Sequence, residues 1–197
     1  MNPVIGQFIS DEFYNGTISN GEKTANKIND YNVYNKKNVV WINVPIFKGT
    51  EEKVNQSLKR LAEVEKIKDV VKKLVSKNPG RRLEIGIISF YKGQVEAIND
   101  MLQENFPQNV LEGVSCNTVD SYQGKEFDIV IVSGVRSNTY SSPEKSLGFI
   151  HHSSSRINVA LSRAKKILIM IGDADTYNKN EHFHDYIKYV KENGYYE

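Results

Sequence analysis

Arginine and hydroxyl side chains, more than histidine or cysteine, carry the chemical interest of this sequence. Arg156 and Arg163 stand seven residues apart in RINVALSRAKKILIMIGD, a segment that opens with a helical pattern. Seven residues make almost two helical turns, so both guanidiniums would project from nearly one face and offer it to an anion. A basic helix end also reads as an ordinary solvated face. Four scattered histidines and one cysteine give no zinc spacing, and Cys116 has no partner for an internal disulfide. His151 and His152 fall in a serine-rich stretch without a second sign of chemistry.

The elements that must position these groups follow from hydrophobic period. Between Ser155 and Ala164, the apolar Ile157, Val159, Ala160 and Leu161 are spaced as on a helix. Ile167 to Ile171 is then an unbroken apolar run closed by Gly172 and Asp173, the pattern of a strand buried on both faces of a parallel sheet. Upstream, residues 3–14 place Val4, Ile5, Phe8, Ile9 and Phe13 on one helical face, with Pro3 suited to the first turn. Residues 15–38 read as loop. Val39 to Val44 is a strand stopped by Pro45. From about Val54 to Val75 the positions Leu58, Leu61, Val64, Ile67, Val71 and Leu74 predict the longest helix. Its cationic side, with Lys59, Arg60, Lys66, Lys68 and Lys72, is expected to face solvent. Asn78-Pro79-Gly80 ends it. Strands over 85–90, 114–119 and 128–135, helices over 93–106 and 183–191, and a polar excursion over 136–154 complete the chain. Strands alternating with helices predict an α/β, three-layer fold with a mainly parallel sheet, whose sites lie at the carboxyl ends of the strands.

Composition narrows the class. The chain has 197 residues, 39% hydrophobic and 25% charged, with a formal net charge of +2. No apolar run approaches the ~20 residues that span a bilayer, and Met1-Asn2-Pro3 does not open a signal peptide. A soluble, cytoplasmic (intracellular), metal-free protein without membrane contact is expected. A charge of +2 does not announce a nucleic-acid partner, so local groups must carry any such reading.

TVDSYQGKEFDIVIVS, residues 118–133, together with RINVALSRAKKILIMIGD, resembles motifs V and VI of superfamily 1 helicases. The likeness is to the subgroup containing the nonsense-mediated-decay RNA helicase and the Okazaki-fragment helicase-nuclease. IGIISFYKGQVEAI, residues 85–98, resembles that subgroup's motif IV, and MNPVIGQFISDEFYNGTI resembles the segment that follows Gln-Tyr-Arg in those proteins. The resemblance covers nearly the whole chain. It implies one C-terminal (second) RecA-like domain of the P-loop NTPase type over residues 1–197, with a leading helix and loop over 1–38 and the α/β core over 39–197.

In such a motor ATP lies in a cleft between two domains, and a guanidinium reaching across stabilises the transferred phosphoryl group, an effect on the order of 10³ to 10⁵ in rate. The resemblance gives this finger to Arg163. It places Gln123, Gly124 and Glu126 on the nucleotide side, with Glu126 accepting from a ribose hydroxyl and Gly124 allowing close backbone approach. Arg156 either assists there or holds its helix against the sheet, and Lys125 meets a phosphate or is solvated. The second implied site is a track for single-stranded DNA or RNA. Ser89, Tyr91 and Gln94 after one strand, with Thr118 and Ser121 after the next, would offer hydroxyl and amide groups to phosphates. Tyr91 or Tyr122 could stack on a base. Hydroxyls at strand ends also simply cap turns.

The sequence departs from a complete motor. It has no Gly-x-x-x-x-Gly-Lys-Ser/Thr loop and no acidic magnesium pair after an apolar strand. The arginine common just before the Met-His-Pro-like segment is absent, Asn2 stands where His is common, and Ser155 replaces a frequent second arginine beside Arg156. The expected parent is therefore a longer ATP-dependent helicase whose first RecA-like domain is the partner of this one and holds most of the ATP and Mg2+. The isolated chain is expected to be inactive. The alternative is a stand-alone, non-catalytic module that binds single-stranded nucleic acid or docks on a protein, or half of a split motor.

Overall fold

A computed structural model describes residues 1–21, 24 and 28–197. The first helix, α1 (Pro3–Tyr14), starts where expected: the Asn2 side chain accepts from the Val4 amide at 2.8 Å, and Pro3 occupies the first turn. Asn15 ends it in the left-handed region with φ 50°. After a short 3-10 turn at Tyr34–Lys36 comes β1 (Val39–Asn43), stopped by Pro45.

The long helix differs from its expected start. A hairpin of β2 (Glu52–Val54) and β3 (Ser57–Lys59) precedes α2 (Leu61–Lys77). Asn55 at the hairpin tip takes φ 54°, a conformation that Asn tolerates, so the chain reverses where a helix would have continued. Leu58 consequently packs from the hairpin, and Leu61 is 47% exposed at the helix start. The expected solvent face is also corrected at one position, because Arg60 is fully buried.

The remaining elements are β4 (Ile85–Ser89), α3 (Lys92–Asn105), the short α4 (Gln108–Leu111), β5 (Val114–Thr118) and β6 (Phe127–Ser133). The polar excursion that follows contains α5 (Pro143–Leu147) and a 3-10 turn at Gly148–His152. It leads into α6 (Ser154–Ser162), β7 (Ala164–Gly172), α7 (Ala174–Tyr177), α8 (Glu181–Asn193) and a two-residue strand β8 (Tyr195–Tyr196).

Six strands form one sheet in the order β5-β4-β6-β7-β1-β8, every neighbouring pair parallel. Alternate side chains therefore point to opposite faces. On β7, Ile167, Ile169 and Ile171 join a cluster with α2 and α3, whereas Leu168 and Met170 join one with α1, α6 and α8. Val40 and Ile42 of β1 follow the first set, Val39 and Trp41 the second. Each fully buried aliphatic side chain of this kind contributes about 1.5–3 kcal/mol relative to exposure. The result is the three-layer α/β, RecA-like architecture expected, with all carboxyl strand ends along one edge.

Candidate functional site

At that edge the loop from Thr118 to Glu126 lies beside α6. Thr118 ends β5, and its hydroxyl lies 3.0 Å from that of Ser121. Asp120 opens a 3-10 turn that buries Tyr122, whose ring packs 5.0 Å from that of Phe127. With Tyr122 held inward, Ser121, Gln123, Gly124, Lys125 and Glu126 are all exposed. Gly124 takes φ 81°, so its residue type also answers a backbone demand of the turn itself.

Arg163 meets this loop from the other side. Its carbonyl accepts from the Phe127 amide at 3.1 Å, tying the end of α6 to the start of β6. The residue lies at the end of α6, as its C-cap, with its backbone still in the right-handed helical region. The half-buried Arg163 guanidinium donates to the Val159 carbonyl at 3.2 Å and to the Ser162 hydroxyl at 2.8 Å. Among the described residues it makes no ion pair. Arg156, by contrast, grips the Asp120 carboxylate through two hydrogen bonds, of 2.9 and 3.2 Å. These bonds to Asp120 raise the affinity of Arg156 for its proton. The side chains are 45% and 65% exposed, and exposed pairs are worth only about 0–1 kcal/mol.

The expected track residues divide into two groups. Thr118 and Ser121 reach the surface. Ser89 and Gln94 do not, which corrects the expectation that they face phosphates: both are fully buried. The Ser89 hydroxyl donates to the Ser133 carbonyl at 3.2 Å, and the Gln94 amide donates to the Ser133 hydroxyl at 2.9 Å while its oxygen accepts from the Arg60 amide at 2.7 Å. The strand ends are roofed by the hairpin, whose Ser57 hydroxyl accepts from the Gly93 amide at 2.9 Å at the start of α3. Tyr91 is corrected as well: it is 8% exposed, in the core with its ring 5.3 Å from that of Phe149, and does not present a face for a base.

Beneath lies a polar cluster that the sequence reading missed. Glu63 is buried and pairs with Arg60 at 3.1 Å. It also accepts from the Ser133 hydroxyl at 2.7 Å and from the Val135 amide at 3.0 Å. Burial pushes the Glu63 carboxyl above its ordinary range, against the pull of Arg60, Ser133 and Val135. Arg60 completes its fork on the carbonyls of Gly49 at 2.7 Å and Pro45 at 3.0 Å. Val135, a branched residue at φ 78°, leaves β6 in a conformation that costs about 1–3 kcal/mol and needs such anchoring. The available signal was the Arg60 and Glu63 spacing of three across a helix start.

The other singled-out groups are peripheral. His151 lies 3.7 Å from Glu144, and its ring stacks edge-on with that of His152. Cys116 is buried in β5, where burial pushes its thiol up to about 12. Among the described residues no group of three His, Cys, Asp or Glu side chains is placed to hold a metal ion, and no helix is long and apolar enough to cross a membrane.

Comparison with known proteins gives a family match over residues 1–175, to the family described as AAA domain. The DNA replication ATP-dependent helicase/nuclease dna2 of Schizosaccharomyces pombe is 34% identical over 79% of this chain and 10% of its own length. Regulator of nonsense transcripts 1 of Caenorhabditis elegans is 31% identical over 97% of this chain and 18% of its own. Across eight such relatives, this chain spans between 10% and 28% of the relative's length. Among solved structures, the C-terminal domain of a possible DNA helicase from Lactobacillus plantarum WCFS1 aligns at a TM-score of 0.47 and 18% identity. That alignment covers 86% of this chain and 84% of the other.

Proposed function

Because the chain belongs to the AAA domain family, and relatives matching most of its length are ATP-dependent helicases, we propose that it is the C-terminal motor domain of such an enzyme. In this reading Arg163 is the arginine finger, Gln123, Gly124 and Glu126 meet the nucleotide, and Thr118 and Ser121 face single-stranded DNA or RNA. The partner across the cleft is a first RecA-like domain of the same protein. In this reading the metal and most of the ATP belong to that partner, and this chain alone does not hydrolyse ATP.

One observation carries the reading. Among the described residues the half-buried Arg163 guanidinium bonds only to its own helix end and makes no ion pair, while the residue's carbonyl holds Phe127, directly after the exposed Gln123–Glu126 loop. A structural arginine in such a place would be expected to find an acid, whereas one that must receive the charge of a transferred phosphoryl group must not.

The test is Arg163→Ala in the complete protein. Turnover of ATP is expected to fall by roughly 10³ to 10⁵, the range for arginine fingers, while ATP binding, followed by titration with a fluorescent nucleotide, stays close to wild type. Turnover within a few-fold of wild type would remove the finger from Arg163 and with it the central support for the motor reading.

A further inference from the structure

We infer that Asp120 and Arg156 form a positioning clamp through which a single strand held at Thr118 and Ser121 adjusts the Gln123–Glu126 loop and the finger. The inference rests on the proposed motor function and assigns to Arg156 a partner on the protein in place of the nucleotide.

Asp120 sits between the two exposed halves of one loop. Thr118 and Ser121, their hydroxyls 3.0 Å apart, lie on one side of the buried Tyr122, and Gln123 to Glu126 follow on the other. Tyr122, buried against Phe127 between these halves, anchors the turn they share. The Asp120 carboxylate is the loop's ionic hold on α6, through the fork of Arg156 at 2.9 and 3.2 Å. Arg156 lies in the first turn of α6, and Arg163 caps the last. A shift of Asp120 thus acts on the helix that carries the finger.

The same guanidinium also reaches the polar excursion. It lies 5.8 Å from the Phe149 ring, which meets the Tyr91 ring after β4 at 5.3 Å. One arginine accordingly bridges the loop after β5 and the residues packed over the end of β4. An Arg–carboxylate fork imposes direction as well as attraction, and its exposure makes it inexpensive to open and re-form. Those properties suit a contact that changes during a cycle better than one that holds the fold.

The experiment measures ATPase of the complete protein with and without oligothymidylate or oligouridylate, for wild type, Asp120→Asn and Asp120→Glu. Asp120→Asn removes the charge at constant shape. It is expected to keep the unstimulated rate and the wild-type Tm, and to lose about tenfold of the stimulation, within the range of coupling between linked sites. Asp120→Glu keeps the carboxylate and is expected to retain most of the stimulation. Full stimulation in Asp120→Asn would overturn the inference, and so would equal losses in Asp120→Asn and Asp120→Glu, or an equal fall in stimulated and unstimulated rates. Wild-type ATPase indifferent to both oligonucleotides would instead overturn the proposed function, and the clamp along with it.

Discussion

Glu63 shows how much one buried side chain can organise. Its carboxylate joins Arg60 at the start of α2 to Ser133 and Val135 at the end of β6, and so fixes the point where the chain leaves the sheet. Removing it would strand a fully buried guanidinium as well as a strained backbone turn. Breaking one partner of a buried pair costs about 3–5 kcal/mol, so Glu63→Ala is expected to lose that much in urea unfolding. A loss below about 1 kcal/mol, the scale of an exposed pair, would show that Arg60 finds other compensation. At this scale the sequence was only partly legible. Arg60 stands among lysines at helical spacing, and only the covering chain from Pro45 to Gly49 makes its position interior. Ser89 and Gln94 were misplaced for the same reason, since nothing in a strand-end hydroxyl reveals the roof over it. Ser121 is exposed and Thr118 half-buried beside it.

Elements were read best where both faces are buried. The continuous apolar runs of β4, β6 and β7 announce interior parallel strands, and the structure flanks each with two neighbours. The hairpin was hidden because Val54, Leu58 and Leu61 happen to keep helical spacing, and the deciding residue is the Asn55 turn. β8 was invisible in advance, since two tyrosines become a strand only by lying against Val40 and Trp41. Tight strand packing has a cost that can be measured at Gly86. A Cβ there would lie 2.3 Å from Phe127 Cδ2 and 2.7 Å from Cγ, near the base of a ring that also supports Tyr122. Overpacking of this kind costs about 1–3 kcal/mol. Gly86→Ala is therefore expected to lower the urea midpoint at unchanged slope. An unchanged midpoint would mean that Phe127 swings aside freely and does not brace the loop.

The whole molecule divides its polar groups between the two edges of the sheet. At the amino edge Asp128 binds Lys165 at 3.0 Å, Lys166 at 3.1 Å and the Tyr31 hydroxyl at 3.0 Å, while Asp30 binds Arg81 at 2.7 Å. Burial alone would raise both carboxyls, but these partners outweigh it and hold both below their ordinary value. A carboxyl depressed in the folded state stabilises the fold above its unfolded pKa, and that contribution is lost as pH falls through the folded value. Glu63, shifted upward, acts in the opposite sense. Asp128→Asn is accordingly expected to be less stable than wild type at neutral pH, with the gap closing between about pH 5 and pH 2. A gap constant with pH, followed by thermal melts, would exclude Asp128 as an acid-sensitive tie. Strand order also has a consequence in time. β1 pairs only with β7 and β8, both from the far end of the sequence. During synthesis its apolar VVWIN run must wait until β7 has emerged. Late, long-range pairing slows folding and leaves sticky segments open to neighbouring chains. Yield on refolding should therefore fall steeply with protein concentration, and a nascent chain halted before β7 would be a natural client for a chaperone.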